Sequence, residues 1–270
     1  MNATRLLAAI LASSAAGAAA QQNVAVPEPG PSLRLDRGML ELRLGAQRLS
    51  AGYPDWQEAT VLLARRTGAH LWQAELASLE RFGARGTYAS IMDTYTLGPR
   101  WYASVALAAG DGAFFLPKHR VDAFLYRKLL DDASLVAYAG VGEYRAPDGH
   151  RDTSVSLGAS RYFEAPWVIQ GGVRFNESRP GSVRTRQQFV AATYGRAPGD
   201  QLVARYGWGR EGYLAIAPGS FRVDFESREA SLQWRHPVAP THGMTVALER
   251  YRNPFYERSG IALGYFVALP

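Results

Sequence analysis

Ionisable side chains recur at alternating positions along several short segments of this 270-residue sequence. Carboxylates and guanidinium groups spaced in this way can pair with one another, or they can line a polar passage and select the solutes that cross it. The candidate residues are Glu41, Glu58, Glu75, Asp93 and Asp122 in the first half of the chain and Arg174, Arg205 and Arg235 in the second.

A second candidate for chemistry is the stretch from Asp148 to Ser154, which holds His150 and Asp152. A serine close to a histidine could serve nucleophilic catalysis on a lipid or a glycan. The same stretch is also typical of an ordinary polar loop, and we expect no catalytic residue there. No histidine pair has metal-binding spacing and the chain contains no cysteine, so the sequence predicts neither a metal site nor a cofactor.

Segments in which apolar and polar residues alternate must position these side chains. In residues 167–177 the odd-numbered positions from Trp167 to Phe175 are apolar or glycine, whereas the even-numbered ones include Gln170 and Arg174. A period of two indicates a β-strand with one apolar face. The pattern returns in about fourteen segments, many of them long enough to cross a membrane as tilted strands.

This repetition predicts an all-β fold, an antiparallel transmembrane β-barrel over residues 39–270 with about 14 strands, or 12 as a second possibility. Connections should alternate between short periplasmic turns, such as residues 98–100, and longer outer loops, such as residues 110–118 and 211–222. A soluble β-sandwich is the structural alternative. After the N-terminal segment, no apolar run is long enough for a transmembrane helix.

The N-terminal residues and the charge balance indicate where such a barrel resides. Residues 1–20 have the layout of a secretory signal peptide, and residues 21–38 that of a proline-rich periplasmic lead-in, so we expect the bacterial outer membrane. Lysine and arginine exceed the acids by 30 − 24 = 6. The arginines are scattered, which suits acidic lipid headgroups or anionic glycans and excludes nucleic acid as an expected partner.

Three short aromatic motifs occur in order: Gly52-Tyr-Pro-Asp-Trp56, Glu80-Arg-Phe-Gly83 and Phe115-Leu-Pro-Lys-His-Arg120. In order and spacing they resemble the YaiO family of outer-membrane β-barrel proteins, from the first predicted strand to the C-terminus. The resemblance implies a part in surface or exported polysaccharide, with periplasmic export components as partners, and it implies no catalytic residues. The positions that carry it are Trp56, Arg81, Phe82, Pro117 and Arg120.

The sequence does not decide between two interpretations of the lumen. Acids on the first six strands could face arginines on later strands across a water-filled channel. Alternatively the charges pair, Glu41 with Arg43 and Glu229 with Arg235, and close the barrel. We expect a non-enzymatic barrel that passes or anchors polysaccharide or other polar solutes. The alternatives are an outer-membrane enzyme acting on lipid or glycan, and a docking barrel without an open pore.

Overall fold

The computed structural model describes residues 38–196 and 199–269. The predicted signal peptide, residues 1–20, lies outside the described residues, and so does all of the predicted lead-in except Gly38, which is the first residue of a strand. Within the described part, no helix is long and apolar enough to span a membrane.

The described residues form fourteen strands, and each pairs antiparallel with its neighbours in sequence. The first strand also pairs with the last, from Met39 opposite Ala268 to Leu49 opposite Arg258, so the sheet closes into a barrel. The predicted fold class is confirmed. The strands are β1 (Gly38–Leu49), β2 (Trp56–Thr67), β3 (His70–Arg81), β4 (Ala84–Thr96), β5 (Trp101–Gly110), β6 (His119–Leu129), β7 (Leu135–Arg145), β8 (Arg151–Tyr162), β9 (Trp167–Arg179), β10 (Val183–Gly195), β11 (Gln201–Ala217), β12 (Ser220–Ala239), β13 (His242–Arg252) and β14 (Glu257–Ala268).

Alternation along each strand separates an apolar outer surface from a polar interior. On β1, Leu42 and Leu44 are 50% and 57% exposed on the outside, whereas Glu41 and Arg43 are almost fully buried inside. A register slip of one residue would exchange the two faces and place Glu41 against lipid. The alternation therefore fixes both the register of the strands and the side of the wall that faces the membrane.

The predicted alternation of short turns with longer outer loops holds only in part, because several connections at the loop end are short as well. At the turn end, where β2 passes into β3, the connections have two to five residues, as at 68–69 and 97–100. At the loop end, where β1 passes into β2, the longest connection is residues 111–118. Residues 211–222 were predicted to form an outer loop. Most of them are instead paired strand, because β11 and β12 extend to a tight turn at residues 218–219.

Inside the barrel, aromatic rings lie flat against glycines of neighbouring strands. A Cβ atom on Gly172 would lie 2.6 Å from the Phe189 ring and would also collide with the Tyr138 phenol. The adjacent Gly171 faces outward, where a Cβ would meet nothing closer than a backbone oxygen at 3.6 Å. These two neighbours in β9 therefore differ in the space available to a side chain.

We predict that Gly172→Ala destabilises the barrel by ~1–3 kcal/mol, because the added methyl must displace two packed rings. Gly171→Ala is the matched control, and its effect should stay within ~0.5 kcal/mol. Urea unfolding in detergent, followed by heat-shifted mobility on gels, measures both. Equal stability of the two variants would contradict the packing described here.

Candidate functional site

At the loop end, β11 and β12 leave the barrel wall together as a two-stranded ribbon, residues 210–227. β11 pairs with β10 only up to Gly209, which lies opposite Gln187. β12 pairs with β13 only up to Arg228, which lies opposite Arg252. Beyond these points the two strands pair only with each other, so both edges of the ribbon are outside the hydrogen-bonded wall.

Two glycines allow the ribbon to bend into the barrel. Gly209 has a φ of 145°, where a side chain is strained, and a Cβ there would lie 2.7 Å from Gln187 Cα. A Cβ on Gly212 would lie 3.1 Å from the Cβ of Ser178, a buried residue on the inner face of β9. The ribbon therefore crosses behind the start of β10 and reaches the inner face of β9.

The ribbon covers the mouth of the lumen from one side to the other. Residues 211–216 are all buried, which is unusual for the tip of a hairpin. The Tyr213 ring stacks on His150 with centroids 3.6 Å apart, and its phenol donates a hydrogen bond to Asp148. On the opposite side, Leu214 and Ile216 join a buried aromatic cluster (the mouth cluster) with Leu49, Trp56, Phe225, Tyr251 and Tyr256.

The residues that carry the family resemblance meet at this mouth cluster. The Arg81 guanidinium lies 4.9 Å from the Trp56 ring centroid and 5.6 Å from that of Phe115. Phe82 packs edge-on against Trp56 at 5.0 Å. Pro117 is fully buried in the connection between β5 and β6. Positions far apart in sequence thus form one contact network. Arg120 is outside this network and forms an ion pair with Asp122 at 2.7 Å.

Arg258 is a central member of this network that the sequence reasoning missed. It is 1% exposed, and its guanidinium lies 4.7 Å from the Trp56 ring and 4.8 Å from the Tyr251 ring. It is paired with Glu249. Burial also raises the pKa of the Tyr256 phenol, which keeps that group protonated. Arg258 shares the inner face of β14 with Gly260 and Gly264, so extending that alternation by one step could have identified it.

Seven of the eight predicted lumen residues face the interior. Within this set, burial is nearly complete for Glu41, Asp122 and Arg235. Glu58 and Glu75 interact electrostatically with lumen arginines and also with a neighbouring lumen acid, Glu249 for Glu58 and Glu58 for Glu75. The seven are Glu41, Glu58, Glu75, Asp122, Arg174, Arg205 and Arg235.

The prediction for Asp93 is wrong, because this residue faces outward near the turn end. Its register partner is Trp72, which is 41% exposed on the outer surface. Asp93 pairs with His70 at 2.7 Å, and the His70 ring stacks on Trp72. The inner face of β4 consists of even-numbered positions such as Thr94. The weak alternation of this strand in the sequence led to the wrong face.

Of the two interpretations of the lumen, the structure does not show an acidic arc separated from a basic arc. Arg43 pairs with Glu41 at 2.8 Å on the side predicted to be acidic. Glu229 pairs with Arg205 at 3.2 Å on the side predicted to be basic. Arg235 lies 3.6 Å from Glu41 instead of pairing with Glu229. Opposite charges are therefore mixed around the wall, as in the alternative reading of paired lumen charges.

Below the ribbon lies a small cavity of ≈ 40 Å³, room for a few water molecules. Arg174, Arg205 and Glu229 line it, together with the Tyr138 ring and Glu211 of the ribbon. The charged side chains around this cavity are buried or partly buried, and the ribbon lies across the mouth above them.

The residues considered for catalysis do not form a catalytic arrangement. The His150 side chain bonds to Asp152 at 2.9 Å and stacks on Tyr213, and no described hydrogen bond joins it to Ser154. Ser154 lies close to Gly142. A Cβ atom added to Gly142 would lie 2.9 Å from the Ser154 hydroxyl. His150 therefore holds the ribbon, and Ser154 lies deeper in the wall.

Sequence comparison agrees with the fold. A family model described as the YaiO membrane beta barrel domain matches residues 38–214, more than half of the chain. The match ends within the ribbon, before β12. A comparison with curated proteins finds no match.

Solved structures share the architecture at low identity. The CymD monoaromatic hydrocarbon channel aligns with a TM-score of 0.58 at 8% identity, covering 86% of this chain and 88% of that one. A bacterial polysaccharide outer membrane secretin aligns at 0.57 and 8% identity, covering 87% and 99%. The toluene transporter TodX of Pseudomonas putida aligns at 0.56 and 12% identity, covering 87% and 90%. These likenesses show the β-barrel fold alone.

We predict that Arg258→Met destabilises the barrel by ~3–5 kcal/mol, because Glu249 is left buried without its partner. Removing both charges in Arg258→Met/Glu249→Leu should recover most of that loss. Arg250→Met breaks an exposed pair with Glu257 and is the control, with an effect of ~0.5 kcal/mol or less. Urea unfolding in detergent measures all three. A double variant no more stable than Arg258→Met would contradict the buried pairing.

Proposed function

Because the chain belongs to the YaiO family of membrane β-barrels, we propose that it is an outer-membrane channel for polar solutes, including surface or exported polysaccharide. The ribbon closes the mouth of this channel, and the charged residues of the lumen select the solutes. Periplasmic export components would deliver such material to the turn end.

The observation that carries the proposal is the detachment of both ribbon edges. A strand within the wall can move only by breaking a ladder of backbone hydrogen bonds. The ribbon shares no ladder with β10 or β13, so its movement breaks only side-chain contacts. Those contacts include the stack of Tyr213 on His150, its hydrogen bond to Asp148, and the packing of Leu214, Ile216 and Phe225 in the mouth cluster. The Tyr251 hydroxyl also donates a hydrogen bond to Glu211 at 2.9 Å. A segment held in this way is suited to act as a gate.

The composition of the lumen supports polar solutes. Its wall carries ion pairs such as Arg205 with Glu229 and Arg120 with Asp122. Fourteen strands enclose more space than the roughly eight strands whose side chains fill a barrel interior. Long arginine side chains that cross this space can turn aside without any change in the wall, and they then present charge to a passing solute.

We predict that a disulfide between Ser178→Cys and Gly212→Cys locks the channel closed. The two Cβ positions lie 3.1 Å apart, close to the ~3.5–4.5 Å of a disulfide, and the native chain has no cysteine to interfere. In planar bilayers the oxidised variant should stay silent, and reduction should restore openings like those of the native chain. The single-cysteine variants are the controls.

Two results would contradict the proposal that the ribbon is a gate. One is equal conductance of the oxidised and reduced forms. The other is a silent barrel after residues 212–222 are replaced by a short turn, provided that heat-shifted mobility shows it to be folded. A folded, silent barrel without the ribbon would instead support the alternative of an anchoring or docking barrel.

We also predict that Arg174→Glu shifts the open channel toward cations, because the side chain lines the lumen cavity. The reversal potential across a salt gradient in bilayers measures this shift. Arg184→Glu is the control, since Arg184 is exposed on the outer surface and should leave the selectivity unchanged. An unchanged reversal potential in conducting Arg174→Glu channels would remove Arg174 from the selectivity of the lumen.

A further inference from the structure

An open cleft of ≈ 580 Å³ lies where the ribbon departs from β13. Its walls come from β12 and from the connection between β13 and β14, residues 253–256. The volume is within the ~300–1,000 Å³ that small-molecule sites occupy. The cleft is on the outside of the mouth cluster and is separate from the lumen cavity, with which it shares only Ser227 among the residues described as lining them.

Two arginines meet at the base of this cleft. Arg228 and Arg252 are register partners on adjacent strands, and both line the cleft. Like charges directly opposite each other in a sheet are destabilising unless an anion lies between them. Glu257 approaches Arg252 at 3.2 Å but is shared with Arg250. Within the part of the chain that the structure describes, Arg228 makes no ion pair, and Glu226 is the other acid that lines the cleft.

Aromatic rings on the connection line the same cleft and are held in fixed positions. The side-chain oxygen of Asn253 accepts hydrogen bonds from the backbone N–H groups of Phe255 and Tyr256, both at 2.8 Å. The Phe255 ring packs edge-on against Phe225 at 5.3 Å and is only half-buried. The Arg222 guanidinium lies over this ring, 5.1 Å from its centroid. The part of the ring that stays exposed suits the apolar face of a sugar, whose hydroxyl groups need polar partners around the ring.

Hydrogen-bond donors are in excess behind the cleft. Tyr256 lines the cleft and is 3% exposed, yet its hydroxyl has no hydrogen-bond partner among the described residues. The same is true of Nε and Nη1 of Arg258 and of Nε1 of Trp56. Neither of these two residues lines the cleft, so their donors belong to the interior of the mouth and do not contact a ligand in the cleft.

We propose that this cleft binds an acidic saccharide, with the sugar ring against Phe255 and a carboxylate between Arg228 and Arg252. The assignment rests on the proposed function, because it takes the solute that reaches the channel mouth to be an acidic glycan. Binding at the cleft does not itself require an open lumen, so the two can fail separately.

The test is calorimetric titration of the full barrel in an amine-oxide detergent, which carries neither sugar nor phosphate. The probe is hexagalacturonate, with maltohexaose as its neutral counterpart. We expect hexagalacturonate to bind and maltohexaose to bind at least ~10-fold more weakly. Arg228→Glu should weaken hexagalacturonate binding by ~10-fold or more, because it replaces a charge-assisted contact with a repulsive one. Arg184→Glu, an exposed arginine on β10, is the matched control and should bind like the native chain.

Several outcomes would overturn the proposal. These are no binding of hexagalacturonate, equal binding of maltohexaose, or equal binding by the Arg228→Glu barrel shown to be folded by heat-shifted mobility. Complete displacement by equimolar inorganic phosphate would reduce the cleft to a simple anion site and would overturn the saccharide assignment. A barrel that binds hexagalacturonate but never conducts would leave the cleft in place and remove the channel.

Discussion

Backbone hydrogen bonding in the membrane is the constraint on which this structure depends. Hydrocarbon offers no partner for a free N–H or C=O group, so a spanning sheet must close on itself. The β1–β14 seam meets this requirement along its whole length. At the ribbon two strands give up their pairing with the wall together, and the outer face shows why. On β11 the last aromatic outside is Trp208 and the next outward residue is Arg210, so the wall comes apart where apolar surface ends and water can solvate the free edges.

The same constraint shapes the interior. Side chains that point inward are sealed from lipid, and they can be charged provided that they find partners there. Glu41 with Arg43, Arg205 with Glu229, and Arg258 with Glu249 are such partners. Buried pairs of this kind add little net stability relative to apolar packing, although breaking one is costly. A lumen lined with such pairs keeps its polar groups satisfied, and it offers the polar interior that the proposed channel requires, which an apolar core could not do.

Much of the fold could be predicted from the sequence, because alternation fixes both the strand and the inner face. Alternation predicts the inner face correctly for β1 and β9, because leucine or aromatic residues occur regularly at their outer positions. It failed at Asp93, where β4 alternates weakly. It also failed for residues 211–216, which were expected to form a loop. They are buried on both faces as a ribbon inside the mouth, so no alternation marks them as a strand. The contacts at the mouth depend on which strands meet there, and local spacing does not contain that information.

The ribbon links the mouth cluster to the cleft through shared residues. Glu226 and Ser227 belong to the ribbon and line the cleft, while Phe225 of the ribbon packs against Phe255 on the opposite wall. The cleft therefore has both walls only while the ribbon is in place. A ligand shifts an equilibrium between two positions only by its difference in affinity for them. An occupied cleft must then favour the closed ribbon, and by reciprocity an open ribbon must weaken binding in the cleft. If the ribbon is the gate that we propose, a saccharide bound at the cleft would be released as the ribbon opens, which is the order that passage through the mouth would require.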